Sequence, residues 1–183
     1  MKLVLIRHGE THWNNENRIH GWLDSPLTEQ AKSDLSALTL PALHQPLLYS
    51  SDLGRAHDSA NIIANKMGLD VILDKRLRER NFGILQGKII NHGEALQAHW
   101  LKYHRRYITP LIDIPGIESE LDFSTRINDF FRACFQHDDN RDIIIVSHGE
   151  WLRGLSNIID GIPCWHQGRG IPVNVKLLIY RDV

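Results

Sequence analysis

Two stretches of the chain are apolar at every position: Leu3-Val4-Leu5-Ile6 and Ile143-Ile144-Ile145-Val146. A strand with one face in water alternates apolar and polar residues. An unbroken run of this length therefore belongs to a strand covered on both faces, as in a parallel sheet between layers of helix. Leu47-Leu48-Tyr49 and Val71-Ile72-Leu73 are shorter candidates, and Val173 to Tyr180 supplies a last strand. Between them the pattern predicts helices from Thr28-Glu29-Gln30 through Leu38, and from a Ser51 or Asp52 cap to about Lys66 with a stop near Gly68. Further helices are expected over Glu94 to Tyr107, Glu120 to Phe135 and Trp151 to Ile159. Thr11 to Pro26 and Leu77 to Gly87 read as loops, and Asp138-Asp139-Asn140 as a polar turn. Strands alternating with helices imply an α/β sandwich with a largely parallel sheet.

Composition narrows the setting. A chain of 183 residues is most simply one domain, spanning 1–183, and large enough to need neither disulfides nor a structural metal. Lys+Arg total 21 against 22 Asp+Glu, so a bulk electrostatic grip on nucleic acid or acidic lipid is not expected, while a local basic pocket is. Cys134 and Cys164 make no disulfide framework. The apolar run after Met1-Lys2 is too short for a signal segment, and no stretch has the ~20 apolar residues of a membrane span. A soluble, cytoplasmic protein is expected.

The chemistry begins with an echo. Leu3–Ile6 leads into Arg7-His8-Gly9-Glu10, and Ile143–Val146 leads into Ser147-His148-Gly149-Glu150. Sites in open α/β sheets form beyond the carboxyl ends of the strands, so two neighbouring strands would deliver both imidazoles to one crevice. Each glycine is expected to let the backbone turn and approach a ligand. Three readings compete: satisfied strand-end histidines, a metal site with Glu10 and Glu150 as further ligands, and an anion site with a nucleophilic imidazole. Arg7 favours the last, because a guanidinium repels a cation and suits a phosphate. Arg55 would lie in the first turn of the helix after Leu47–Tyr49, and Glu79 sits between two arginines in a glycine-bearing loop.

Taken together, these residues resemble a known family. Arg7-His8-Gly9-Glu10-Thr11-x-Trp13-Asn14, with Arg18, Gly21, Asp24 and Pro26-Leu27-Thr28, is similar to the opening motif of the histidine phosphatase superfamily, in its phosphoglycerate mutase-like branch. Ser50-Ser51-Asp52-Leu53-x-Arg55-Ala56, Leu77-Arg78-Glu79-x-x-Phe82-Gly83-x-x-x-Gly87, Glu118-Ser119 and Ser147-His148-Gly149-x-x-x-Arg153 resemble its later blocks, in order. The resemblance implies a three-layer αβα sandwich with a small helical lid over 84–118. His8 would become phosphohistidine, with Arg7, Arg55 and His148 holding the phosphoryl group and Glu79 serving as acid and then base. Asn14 and the backbone at His20-Gly21 would contact phosphate or substrate, as would Arg80 and a lid pair, Arg105-Arg106. No metal and no cofactor is implied. Glu150 and Trp151 stand where small residues are frequent, and Trp151 is expected to reshape the mouth. Asn174 resembles a late asparagine of the family.

The resemblance covers phosphatases and mutases. A mutase must shield its phosphohistidine from water, and a short, open lid favours hydrolysis. The expectation is therefore a metal-independent phosphatase acting on a small phosphomonoester. A cofactor-dependent phosphoglycerate mutase and a non-catalytic phosphoester-binding domain are the alternatives. The expected partner is a small phosphorylated metabolite, with no nucleic acid and no membrane; a homodimer is left open.

Overall fold

The computed structural model describes residues 1–134 and 140–181. Its strands are β1 (Lys2–Arg7), β2 (Leu47–Ser50), β3 (Val71–Leu73), β4 (Ile143–Ser147) and β5 (Leu177–Arg181). They form one sheet in the order β3-β2-β4-β1-β5. All neighbours are parallel except β5, which runs antiparallel to β1 at the edge. The two apolar runs are thus central strands, and Leu3, Val4, Leu5 and Ile6 are at most 2% exposed. Burying such a side chain is worth roughly 1.5–3 kcal/mol, which is what places these runs in the middle of the sheet.

The helices are α1 (His12–Asn15), α2 (Glu29–Ala37), α3 (Gly54–Met67), α4 (Gln97–His104), α5 (Glu120–Cys134) and α6 (Gly149–Ile159). On one face of the sheet, Val4, Ile6, Ile144 and Val146 pack against Leu35 of α2 and Ala56, Ala60 and Ile63 of α3. On the other, Leu3, Leu5, Ile143 and Ile145 pack against Phe123, Ile127 and Phe130 of α5 and Trp151, Leu152 and Leu155 of α6. This is the expected three-layer sandwich. A separate cluster of Ile19, Phe82, Leu85, Trp100, Tyr103, Leu111 and Ile114 anchors the 84–118 segment.

The departures from the sequence reading have local causes. Helix α3 starts at Gly54, with Leu53 in the cap position and no side-chain cap. Asp52 is instead bound by Arg78, at 2.7 and 2.6 Å. The Glu94–Tyr107 helix is a turn of 3₁₀ helix over Glu94–Leu96 followed by α4. The last strand begins at Leu177, because Val175 adopts a left-handed φ of 61° and the backbone before it faces the site. Thr11–Pro26 contains α1, and Leu77–Gly87 contains 3₁₀ turns. Phe135 and the Asp138-Asp139 part of the polar turn lie outside the described residues. Among the described residues, no helix is long and apolar enough to cross a membrane.

Candidate active site

Register puts the two histidines side by side. β1 and β4 pair from Leu3↔Ile143 through Arg7↔Ser147, so His8 and His148 are the next residues on neighbouring parallel strands. Their ring centroids are 5.2 Å apart. His8 Nδ1 donates to the carbonyl of Gly9 at 2.7 Å, which leaves Nε2 with its lone pair. Arg55 Nε donates to that nitrogen at 3.3 Å. Burial, and then the charges of Arg55 and Arg7, hold the His8 imidazole well below its ordinary range, so it is neutral at pH 7. Two contacts fix the backbone: Gly9 N donates to Ser59 Oγ at 2.9 Å, buried, and Asn174 Nδ2 donates to His8 O at 2.8 Å, half-buried.

The glycines act by proximity rather than by turning. Neither Gly9 nor Gly149 has a positive φ. A Cβ at Gly9 would stand 3.0 Å from both Ala31 Cβ and Leu35 Cδ1, and one at Gly149 2.7 Å from Ile171 Cγ2. Helix α2 and the 171–175 segment therefore pack onto bare backbone beside each histidine.

Two arginines complete the cup. Arg55 is 1% exposed. Its Nη1 donates to Leu23 O at 2.9 Å and to Asp24 Oδ1 at 3.0 Å, and its Nη2 to Gly21 O at 2.9 Å. Gly21 thus serves the site through its carbonyl. Arg7 Nη1 donates to Pro172 O at 2.9 Å, while its buried Nε has no partner. Burial lowers both guanidinium pKa values, but from a start so high that both remain cations. His148 is wholly buried, neither ring nitrogen has a hydrogen-bond partner among the described residues, and burial followed by Arg55 depresses its basicity strongly. Buried polar groups are nearly always satisfied, so two unpartnered nitrogens on a ring beside His8 set His148 apart from an ordinary core histidine. The N-terminus of α6 adds its positive end there.

Glu79 faces the same space. Its Oε1 accepts from Arg80 N at 2.9 Å and its Oε2 from Glu150 N at 3.3 Å. Trp22 Nε1 and Arg126 Nη2 hold its carbonyl at 2.8 and 2.9 Å. Burial and the nearby Glu150 carboxylate raise its pKa above the ordinary carboxyl range. Arg7, His8, Arg55 and Glu79 line one cavity of about 180 Å³, together with Asn14, His20, Gly21 and Glu150; His148 is not among its lining residues, though its ring lies beside that of His8.

The remaining sequence candidates divide. Asn14 lines the cavity, and its Oδ1 accepts from Thr11 N at 3.0 Å in a capping box that builds α1. His20 is buried, 2.7 Å from Thr11 Oγ1 through Nε2, and burial with Arg55 pushes its pKa down to about 3. Arg80, Arg105 and Arg106 do not line the cavity. Arg80 is 2% exposed and braces the fold, donating to Glu120 at 2.7 Å and to Glu118 O at 3.0 Å. Arg105 is exposed and borders a different depression with Leu101 and Lys102. Arg106 is paired with Glu150 at 2.8 Å. Trp151 is fully buried in the core, with Nε1 2.7 Å from Arg76 O, and does not shape the mouth. Glu10 is exposed and Glu150 is committed to arginines, so neither joins the histidines as a ligand. Sequence reasoning missed Tyr103 and Ile171 as cavity walls. Tyr103 lies inside the stretch predicted only as helix, and Ile171 carries no pattern at all.

Comparison with known proteins gives the family and the fold. Residues 3–179 match the family model described as histidine phosphatase superfamily (branch 1). The chain is 37% identical over 175 residues to the probable phosphoglycerate mutase GpmB of Escherichia coli, covering 92% of this chain and 79% of that one. Among solved structures, Bacillus stearothermophilus YhfR superposes with a TM-score of 0.86 at 30% identity, covering 97% of this chain and 89% of that one. A mycobacterial glucosyl-3-phosphoglycerate phosphatase superposes at 0.79 with 27% identity, covering 97% and 91%.

Proposed function

The chain belongs to the histidine phosphatase superfamily, branch 1, and on that premise we propose that it is a metal-independent phosphatase acting on a small phosphomonoester through a phosphohistidine on His8. One observation carries the reading: a buried, neutral imidazole presents a lone pair at Nε2 between two fixed guanidinium groups and an unpartnered second imidazole. Such a cup matches a phosphoryl group. Transfer needs little covalent assistance and much positioning and charge stabilisation at the equatorial oxygens.

The steps follow from the atoms. His8 Nε2 attacks phosphorus, the P–N bond forms, and the bond to the ester oxygen breaks. Arg7, Arg55 and His148 hold the three non-bridging oxygens. Glu79, whose carboxyl burial and the Glu150 carboxylate hold above the ordinary range, gives its proton to the leaving oxygen. The resulting carboxylate takes a proton from water, whose oxygen attacks phosphorus and breaks the P–N bond. Inorganic phosphate and neutral His8 result. Nδ1, held on Gly9 O, fixes the ring's tautomer throughout.

A second reading, phosphoglycerate mutase, is favoured by the name of the Escherichia coli relative. Hydrolysis is preferred because the lid arginines that would hold a glycerate carboxylate are elsewhere, Arg105 outward and Arg106 on Glu150. The test is hydrolysis of p-nitrophenyl phosphate with excess chelator, acid-quench trapping of phosphohistidine, and an isomerisation assay with 3-phosphoglycerate and its bisphosphate. Chelator-resistant turnover that His8→Ala abolishes together with the trapped phosphoenzyme supports the proposal. Net isomerisation exceeding hydrolysis would reverse it in favour of the mutase.

A further inference from the structure

One wall of the cavity carries a charge arrangement that phosphoryl transfer does not require. Glu150 lies in the first turn of α6, is 3% exposed and lines the cavity next to Glu79. Its Oε1 accepts from Arg106 Nε at 2.8 Å and from the Tyr107 hydroxyl at 2.7 Å. Its Oε2 accepts from Arg153 Nε at 3.0 Å and Nη2 at 2.7 Å. Burial works against the charge, but Arg153 and Arg106 outweigh it and hold the carboxyl at about 2, so it is ionised at neutral pH. Arg106 is itself immobilised, with its guanidinium 3.9 Å from the Tyr103 ring centroid and 4.2 Å from that of Tyr107. Neither Arg106 nor Arg153 lines the cavity; of this cluster, Glu150 and Tyr103 do. Arg18, which also lines it, is bound to Glu16 at 2.8 and 2.6 Å.

The consequence is electrostatic. Beyond the phosphate cup, the alcohol part of a substrate meets apolar side chains such as Phe82, Tyr103 and Ile171, and a fixed negative charge. A like charge brought against a buried carboxylate is poorly screened by salt and strongly disfavoured. We propose that Glu150 is a specificity-determining residue: by holding Arg106 and presenting its carboxylate to the cavity, it selects phosphomonoesters of uncharged alcohols and rejects those carrying a second anionic group. This rests on the phosphatase reading and adds the substrate class to it.

The test uses two esters of one skeleton, sn-glycerol 3-phosphate and 3-phosphoglycerate, which differ in a hydroxymethyl group against a carboxylate. Each is measured as a competitor of p-nitrophenyl phosphate turnover by the full chain. The wild type should bind the glycerol ester at least about tenfold more tightly. Glu150→Gln should compress that ratio to about threefold or less, and Arg106→Gln, which leaves the carboxylate less compensated, should widen it. Opposite responses to removing opposite charges are not expected of a merely structural cluster. A wild-type ratio near one, or a ratio that a folded Glu150→Gln variant leaves unmoved, overturns the assignment. If Glu150→Gln does not fold, Arg106→Gln decides, since a ratio that it leaves unmoved or narrows is equally fatal. Absent p-nitrophenyl phosphate turnover would count against the phosphatase reading alone, because calorimetric affinities for the same pair still decide on Glu150.

Discussion

Replacing His148 with leucine separates what this ring does for the reaction from what it does for the fold. Leucine is close to histidine in size, so the substitution leaves no large cavity. It deletes two buried ring nitrogens that have no partner. An unsatisfied buried polar group costs roughly 1–3 kcal/mol, so His148→Leu should be as stable as the wild type or up to about 2 kcal/mol more stable. On the proposed mechanism the same change removes a donor to a phosphoryl oxygen, and the loss of one such donor costs about 10²–10³ in rate.

The acid side of the stability curve gives an independent reading. His8, His20 and His148 all have folded pKa values below the ordinary 6.5. Below that pH the unfolded chain takes up protons that the folded one refuses. Stability is therefore complete above pH 6.5 and falls as the pH drops, by about 1.4 kcal/mol per pH unit for each such histidine once the unfolded side chain is protonated. His148→Leu should make this fall shallower by one histidine's share. Urea unfolding between pH 7 and 5, with kcat/KM for p-nitrophenyl phosphate at pH 7, measures both quantities. A variant with nearly wild-type kcat/KM, a loss of more than about 2 kcal/mol, or an unchanged acid slope would refute the reasoning.

Three further outcomes are expected. Glu79→Gln should lower kcat by about 10²–10⁴ for alkyl phosphates and far less for p-nitrophenyl phosphate, whose leaving group needs no proton; equal losses would remove the acid role. With the acid form required, the wild-type rate on alkyl phosphates should fall as pH rises through the elevated Glu79 pKa, and Glu79→Gln should flatten that limb. Gly9→Ala drives a methyl into Ala31 and Leu35 and should cost about 1–3 kcal/mol in urea unfolding. Arg105→Ala, exposed and outside the cavity, should leave kcat/KM within about twofold, and a tenfold loss would restore it to the substrate wall.

Particular residues mark where the sequence was legible. The apolar runs 3–6 and 143–146 announced central strands because each is a short, largely β-branched run ended at once by a glycine-bearing segment, too short for a buried helix. Their matching His-Gly-Glu tails then located the site, since strand ends in such sheets converge on one edge. Arg55 was legible because a strand-to-helix junction returns to that same edge. The lid was not. Arg80, Arg105 and Arg106 are chemically alike in sequence, and their fates were set by which carboxylate or carbonyl each meets: Glu120, solvent and Glu150 respectively. Trp151 looked like a mouth residue until α6 turned it into the core.

Local patterning alone thus placed one imidazole after β1 and a second after β4, because alternation and periodicity are properties of neighbours in the chain. Only the folded structure decided the pairings across it: Asn174 on the His8 carbonyl, Glu150 between Arg106 and Arg153, and a His148 ring left without a partner. Hydrogen bonds and ion pairs between residues far apart in the chain depend on distances of a few ångströms that no one-dimensional spacing encodes.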